Sequence, residues 1–160
     1  ALIAAFGGIP LIYMGDELAL LNDHGYREVP EHAHDSRWVH RPRMDWTAAQ
    51  DRHRGDTPGG RVWWGVKHIL ARRAATPALH SAHPTEIIEL GVPGVFGFAR
   101  RAPAGALLGL FNFTEDWRSL PEVQARGLGA SLMHDALSDG RVEVHGGQIV
   151  LPPYARVWLT

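Results

Sequence analysis

The sequence predicts two kinds of architecture in one chain: an α/β part over residues 1–80 and an all-β part over residues 84–160. Three observations carry this expectation. An apolar run from Ile9 to Met14 ends abruptly in Gly15, Asp16 and Glu17, as a strand buried on both faces does when it opens into a polar site. The stretch Arg61 to Ala75 places Val62, Val66, Ile69, Leu70 and Arg73 at the spacing of one helical face. From Glu86 onward, short apolar segments alternate with Gly, Pro and Asp turns, the pattern of an antiparallel sandwich.

The elements follow in order. Ala1 to Phe6 reads as a helix end stopped by Gly7 and Gly8. Ile9 to Met14 is the expected strand. Residues 15–58 are polar and rich in His, Arg, Asp and Pro, and a connection this long is functional or carries small helices of its own. Leu18 to Asn22 has room for one helical turn. In the Arg61 to Ala75 helix, Lys67, Arg72 and Arg73 suit the C-terminal end of the macrodipole, and Pro77 stops the run. Trp63 and Trp64 are expected to pack against neighbouring structure, with a sugar platform as the lesser alternative. The unit boundary falls near Leu79 to Pro84. Strands are expected at Glu86–Leu90, Val95–Arg101, Ala106–Phe113, Ser131–Asp135, Val142–His145, Gln148–Leu151 and Ala155–Leu159, with Gly140 and Gly146-Gly147 as hairpin turns. Phe96, Phe98, Phe111 and Phe113 alternate along two of these strands and read as core.

Bulk properties exclude several classes. The 160 residues carry a formal net charge of -1, which argues against a nucleic-acid partner bound through phosphate neutralisation. No basic run exceeds two residues, so no polybasic membrane patch is expected. The opening apolar stretch is interrupted by Gly7, Gly8 and Pro10 and is shorter than the ~20 residues a bilayer span needs. There is no cysteine, so disulfides and thiolate metal sites are excluded. Compartment stays open between the cytoplasm and secretion. Ala1 at the start fits a fragment or a processed product.

Two stretches carry candidate chemistry. In the first, Asp16 and Glu17 either mark the mouth of a site or simply cap the next turn. The second runs from His34 to Trp46 and holds two Trp, three Arg, two His and two Asp in thirteen residues. Arg pairs with carboxylates through a planar fork, and Trp offers a flat face to a sugar ring. That mixture suits a polyol pocket and equally an ion-paired loop. His32, His34 and His40 lack a helical or carboxylate-bridged ligand pattern, so no metal is expected.

The segment Gly8-Ile9-Pro10-Leu11-Ile12-Tyr13-Met14-Gly15-Asp16-Glu17 resembles the G-x-P-x-x-Y-x-G-D-E signature on the last barrel strand of the α-amylase (glycoside hydrolase 13) family, at every fixed position. Arg61 to Leu79 resembles that family's last barrel helix. Leu107 to Thr114 and Leu151 to Leu159 resemble strands of its C-terminal domain, with less specificity. The resemblance implies the last strand, long loop and last helix of a (β/α)8 barrel, followed by an antiparallel β-sandwich. Ser36 to Arg43, read as S-R-W-x-H-R-P-R, and Leu21-Asn22-Asp23 narrow the resemblance to amylosucrases and the similar sucrose hydrolases.

That narrower resemblance implies a retaining enzyme that takes glucosyl units from sucrose, passes them to an α-glucan, releases fructose and needs no cofactor. It implies that Arg37 pairs with an Asp from an upstream barrel loop and closes the pocket, with Arg41 as second choice. Asp16, Glu17, Asp35 and Trp38 are expected to shape the loop near the site. The family's catalytic carboxylates match nothing in this sequence. The implied partners are therefore sucrose, α-glucan and an upstream barrel, and the chain alone is expected to catalyse nothing. A sucrose hydrolase and a non-catalytic sugar-binding β-sandwich are the alternatives. Oligomerisation stays open.

Overall fold

In the computed structural model, which describes residues 1–131 and 133–160, packing divides the chain into a unit of residues 1–10 with 69–160 and a unit of residues 11–68. The packing boundaries therefore differ from the expected division at 80–84. Ala4, Ala5, Ala78 and Leu79 share one buried cluster with Phe98, Leu107, Phe111 and Trp158, which draws the first and the linking residues into the β unit.

Helix α1 spans Leu2–Phe6. After it, the expected strand at Ile9–Met14 is absent: the segment is irregular and has no ladder partner among the described residues. Ile9 and Leu11 are 85% and 80% exposed. The apolar run is present, but a buried parallel strand exists only when neighbours on both sides take its N–H and C=O groups. The barrel remnant implied by the resemblance is accordingly not shown.

The 11–68 unit is built mostly of short 3₁₀ turns, at Asp16–Leu18, His24–Glu28, Ser36–His40 and Asp51–His53, with helix α2 at Trp46–Gln50. The turn expected over Leu18–Asn22 lies earlier because Gly15 accepts from Leu18 N at 3.0 Å and starts it. Asp45 caps α2 by accepting from Thr47 N and Ala48 N.

Helix α3 runs from Pro58 to Ala74, three residues earlier than the apolar rhythm indicates. The Thr57 hydroxyl oxygen accepts from Gly60 N at 3.0 Å, and Pro58 takes the first helical position, where no N–H is needed. A side chain on Gly60 would run into the Arg54 carbonyl oxygen at 1.8 Å. Trp63 and Trp64 pack on the adjacent 51–53 turn. Arg52 lies 5.5 Å over the Trp63 ring, and the Lys67 ammonium sits 4.9 Å over Trp64.

The β unit has nine strands among the described residues: β1 Thr85–Ile88, β2 Val95–Ala102, β3 Gly105–Asn112, β4 Arg118–Pro121, β5 His134–Asp135, β6 Gly140–Arg141, β7 Val144–His145, β8 Gln148–Leu151 and β9 Arg156–Leu159. They form a six-stranded sheet, β1-β2-β3-β9-β5-β6, and a three-stranded sheet, β4-β8-β7. Every pairing is antiparallel. Leu108, Leu110 and Leu159 of the larger sheet meet Leu120, Ile149 and Leu151 of the smaller one in a single core.

The other face of the larger sheet carries Phe98, Leu107, Phe111 and Trp158 against Ala4, Ala5 and Leu79. Strand β3 is therefore buried on both faces, and its sequence is apolar at nearly every position. Gly109 within it is dictated by packing, since a Cβ there would lie 2.4 Å from the Phe98 ring.

Several strand expectations shift. Strand β1 begins and ends before the predicted Glu86–Leu90, and Leu90 leaves the ladder to pack over Gly97. In the predicted Ser131–Asp135 strand, His134 and Asp135 pair, while Leu132 lies outside the described residues. Gly146 and Gly147, both at positive φ, turn the β7–β8 hairpin. Gly140 instead pairs with Asp135, and the turn before it is made by Ala136–Asp139. Phe113 is exposed rather than core because β3 ends at Asn112 and the ladder no longer covers it.

Strand β4 and helix α4 (Glu122–Gly127) are not evident from sequence. Arg118-Ser119-Leu120-Pro121 offers one buried apolar residue, and only pairing with β8 makes it a strand. No helix among the described residues is long and apolar enough to cross a membrane.

Candidate functional site

The residues that the sequence singles out converge in the 11–68 unit. Gly15 is the pivot. Its φ of 97° belongs to the left-handed region, and a Cβ would lie 2.8 Å from Leu20 Cδ1, so only glycine fits. Asp16 N donates to Tyr13 O at 3.0 Å, and Tyr13 N donates to Asp16 Oδ2 at 3.3 Å. Gly15 N donates to Glu17 Oε2 at 2.9 Å. Both carboxylates thus engage the backbone of the turn that carries them.

The second stretch is arranged by Asp35. Its Oδ1 caps the Ser36–His40 turn by accepting from Arg37 N at 3.0 Å. The same carboxylate takes the Arg37 guanidinium in a two-pronged grip, Nε to Oδ1 at 2.8 Å and Nη2 to Oδ2 at 2.7 Å. Trp38 stacks on His32 with ring centres 3.7 Å apart and planes 15° apart. The Arg41 guanidinium lies 5.6 Å from the Trp38 ring centre. Asp23 N donates to Val39 O at 2.8 Å, and His40 Nδ1 lies 3.2 Å from Asn22 Oδ1, joining the 21–23 stretch to the 36–40 turn.

These contacts surround a hollow of about 500 Å³ lined by Tyr13, Met14, Gly15, Asp16, Leu20, Leu21, Asn22, Arg37, His40, Arg41 and Pro42. Both candidate arginines and Asp16 line it. Glu17, Asp35 and Trp38 lie outside the lining and hold the loops behind it. Tyr13, Asn22 and His40 are lining residues that the sequence reading did not assign to the site. All three stand within the motifs of the sequence, Tyr13 in the first, Asn22 in Leu21-Asn22-Asp23 and His40 in Ser36 to Arg43, but nothing there gives them a role. A phenol, an amide, an imidazole and two guanidiniums around one space can hydrogen-bond a polyhydroxylated ligand from several directions. Among the described residues, no group of three or more His, Asp or Glu could hold a metal ion.

The arginine neighbour has a measurable consequence. The hydrogen bonds from Arg37 hold the Asp35 carboxyl down at about 2, below its ordinary 3.8. A lowered folded value means that the ion pair is complete above the ordinary value and is lost as pH falls through the lowered one. A carboxyl-carbon NMR titration of the chain is expected to show Asp35 titrating near pH 2 and to return it toward the ordinary range in Arg37→Ala. An unchanged low value in Arg37→Ala would mean that the backbone bond alone is responsible.

The β unit has an antiparallel sandwich fold, and the loop unit carries a hollow lined by hydrogen-bonding side chains. Residues 92–160 match the family model described as amylosucrase, C-terminal domain. Among solved structures, the whole-chain fold is similar to the cyclic α-maltosyl-(1→6)-maltose hydrolase of Arthrobacter globiformis. The ligand-free form gives a TM-score of 0.58 at 19% identity over 99% of this chain and 28% of that one. The complex with its cyclic sugar gives 0.60 at 18% identity, again over 99% and 28%.

A trehalose-6-phosphate hydrolase from Bacillus licheniformis gives 0.56 at 15% identity, over 94% of this chain and 35% of that one. At these identities the likeness is one of fold, and the chain spans roughly a third or less of each structure's length. Residues 92–160 thus resemble an amylosucrase C-terminal domain, and the chain shares the fold of part of each of these hydrolases.

Proposed function

We propose that this chain is the C-terminal portion of an amylosucrase-like glucosyltransferase, with residues 1–80 closing a (β/α)8 barrel and residues 84–160 forming the domain behind it. The observation that carries the reading is the convergence of two separate motifs on one hollow. Tyr13, Gly15 and Asp16 come from the first, and Arg37, His40 and Arg41 from the second. The family-model match over residues 92–160 supports the same assignment through an independent part of the chain.

In this reading the hollow becomes the wall of a glucosyl pocket once the upstream barrel covers it. The guanidinium of Arg37 engages a carboxylate from that barrel, in addition to Asp35 or in its place, and shuts the pocket behind the sugar. Asp16 and Glu17 hold the Gly15 turn, and Trp38 holds Arg41 across its face. The bond-breaking carboxylates belong to the upstream part. One forms a glucosyl ester as the bond between glucose and fructose breaks, and the other gives its proton to the departing fructose. The glucan hydroxyl then attacks the glucosyl carbon, the ester bond breaks to free the first carboxylate, and the hydroxyl's own proton passes to the second carboxylate.

The test is the full-length protein with sucrose as sole substrate. A growing α-glucan together with free fructose is the expected product pattern. Free glucose and fructose in equal amounts, without polymer, would make it a sucrose hydrolase. No turnover of sucrose at all would overturn the assignment.

A further inference from the structure

His32 belongs to a trio of histidines without a metal-ligand pattern, and it does not line the hollow. The fold nevertheless gives its side chain a place. Four turns follow one another at three-residue intervals. His32 N donates to Val29 O at 2.9 Å, Asp35 N to His32 O at 2.9 Å, Trp38 N to Asp35 O at 3.2 Å and Arg41 N to Trp38 O at 3.0 Å. Bonds of this i to i+3 kind draw the chain tight and bring side chains at such intervals close together. The result is a run of face contacts. The His32 imidazole lies on the Trp38 indole with ring centres 3.7 Å apart and planes 15° apart, and the Arg41 guanidinium carbon lies 5.6 Å from the centre of the same indole.

The two arginines of the hollow differ in what holds them. The Arg37 guanidinium is gripped by Asp35. The Arg41 guanidinium makes no hydrogen bond or ion pair among the described residues, and its contact is with the face of Trp38. Its N–H donors are therefore uncommitted at the hollow that it lines. A long side chain without a polar anchor loses rotamer freedom when a ligand orders it, and a support that already restrains it reduces that loss. The Trp38 indole is that support, and His32 backs the indole.

We infer that His32 is a positioning residue of the sugar pocket: by stacking on Trp38 it fixes the indole that steadies Arg41, and so presents the Arg41 donors to the hydroxyls of the bound sugar. The pocket itself rests on the function proposed above. A stacked ring pair contributes beyond the area it buries, and the indole face attracts the guanidinium cation. Without the imidazole the indole gains freedom to turn, and Arg41 turns with it. The imidazole nitrogens make no hydrogen bond among the described residues, so the flat ring is what the position supplies. His32 touches neither sugar nor reacting bond, and its effect falls on binding, in KM, rather than on kcat.

The test is steady-state kinetics of the full-length protein on sucrose, with its histidine ring carbons isotope-labelled for NMR as a readout independent of turnover. His32→Ala is expected to raise KM about three- to tenfold and to leave kcat within about twofold. His32→Phe, which keeps a flat ring, should restore KM to near the wild-type value. Adding His32→Ala to Arg41→Ala should raise KM no further, because the one residue acts through the other. The His32 ring protons should be displaced upfield by the indole ring current and lose that displacement in Trp38→Ala. Thermal midpoints check that each variant is folded.

In a protein that turns over sucrose, an unchanged KM in His32→Ala, a failure of His32→Phe to restore it, or a further rise in the double variant would overturn the inference and leave the proposed function standing. A lowered thermal midpoint with KM unchanged would make His32 a residue of stability alone. Ring protons without the upfield displacement would remove the stack on which the inference is built. Absence of sucrose turnover in the wild-type protein would overturn the proposed function, and this inference would fall with it.

Discussion

Replacing Arg100 with alanine is expected to destabilise the β unit by about 3–5 kcal/mol, from lost charge-assisted hydrogen bonds and the unpaired carbonyls left behind. Arg100 lies on β2 and is fully buried. Its guanidinium is held by carbonyl oxygens: Nη1 donates to Ala5 O at 3.2 Å, and Nη2 donates to His80 O at 2.6 Å and His83 O at 2.7 Å. Burial, with Arg73 nearby, pushes its pKa below the ordinary arginine value, which is the signature of a cation taken out of water.

The contacts serve an identifiable purpose. Helix α1 ends with unsatisfied carbonyls, and these are covered from outside. Arg100 takes Ala5 O, Arg73 takes Ala4 O and Gly8 O, and the Thr85 hydroxyl takes Phe6 O. Arg100→Ala should therefore lower the thermal midpoint of the chain and accelerate hydrogen exchange in residues 2–8 before it affects the β3 amides. Arg100→Lys should recover part of the loss, since one ammonium cannot span all three carbonyls. A loss below about 1 kcal/mol would show that water substitutes for the guanidinium at little cost.

In the full-length protein, Arg37→Ala is expected to lower kcat/KM on sucrose by about two to three and a half powers of ten, the equivalent of about 3–5 kcal/mol for a buried pair broken on one side. Arg37 is exposed here, and among the described residues its guanidinium grips Asp35. The proposed function places a further carboxylate over it, and the geometry of the grip supplies the reason for the size of the effect. Nε and Nη2 present the side of the guanidinium that matches a carboxylate edge, and Asp35 holds that plane in one orientation.

Arg37→Lys should fail nearly as badly, because an ammonium carries no fork. Arg41→Ala should cost less, since Arg41 lines the hollow from its station over Trp38. Arg43→Ala should cost least, because Arg43 is outside the lining. Steady-state kinetics of the four variants on sucrose decides the matter. Near-normal kcat/KM in Arg37→Ala, or a deeper loss in Arg41→Ala, would move the pocket arginine to position 41.

How much of this was legible in the sequence depends on where each element finds its stabilisation. Helix α3, strands β2, β3, β8 and β9 and the Gly146-Gly147 hairpin were readable because their signals are local: an apolar period, a run of strand formers, a pair of glycines at positive φ. The site residues were readable in part. Gly15, Asp16, Asp35, Arg37 and Arg41 stand in motifs, and the structure places them around or directly behind one hollow. The contact between His40 and Asn22 was not readable, since residues eighteen apart become neighbours only through the fold.

The chain by itself determined the antiparallel β unit, the amphipathic helix and the chemical character of the loop, because these follow from side-chain periodicity, turn chemistry and residue type. Only the tertiary structure decided the fate of Ile9–Met14, the strand made by Arg118–Pro121 and the burial of Arg100. Each of these depends on a partner supplied from elsewhere: a neighbouring strand, the β8 ladder, the carbonyls of residues 5, 80 and 83. Backbone polar groups and buried charge are tolerated only where something answers them, and a linear sequence does not show what will.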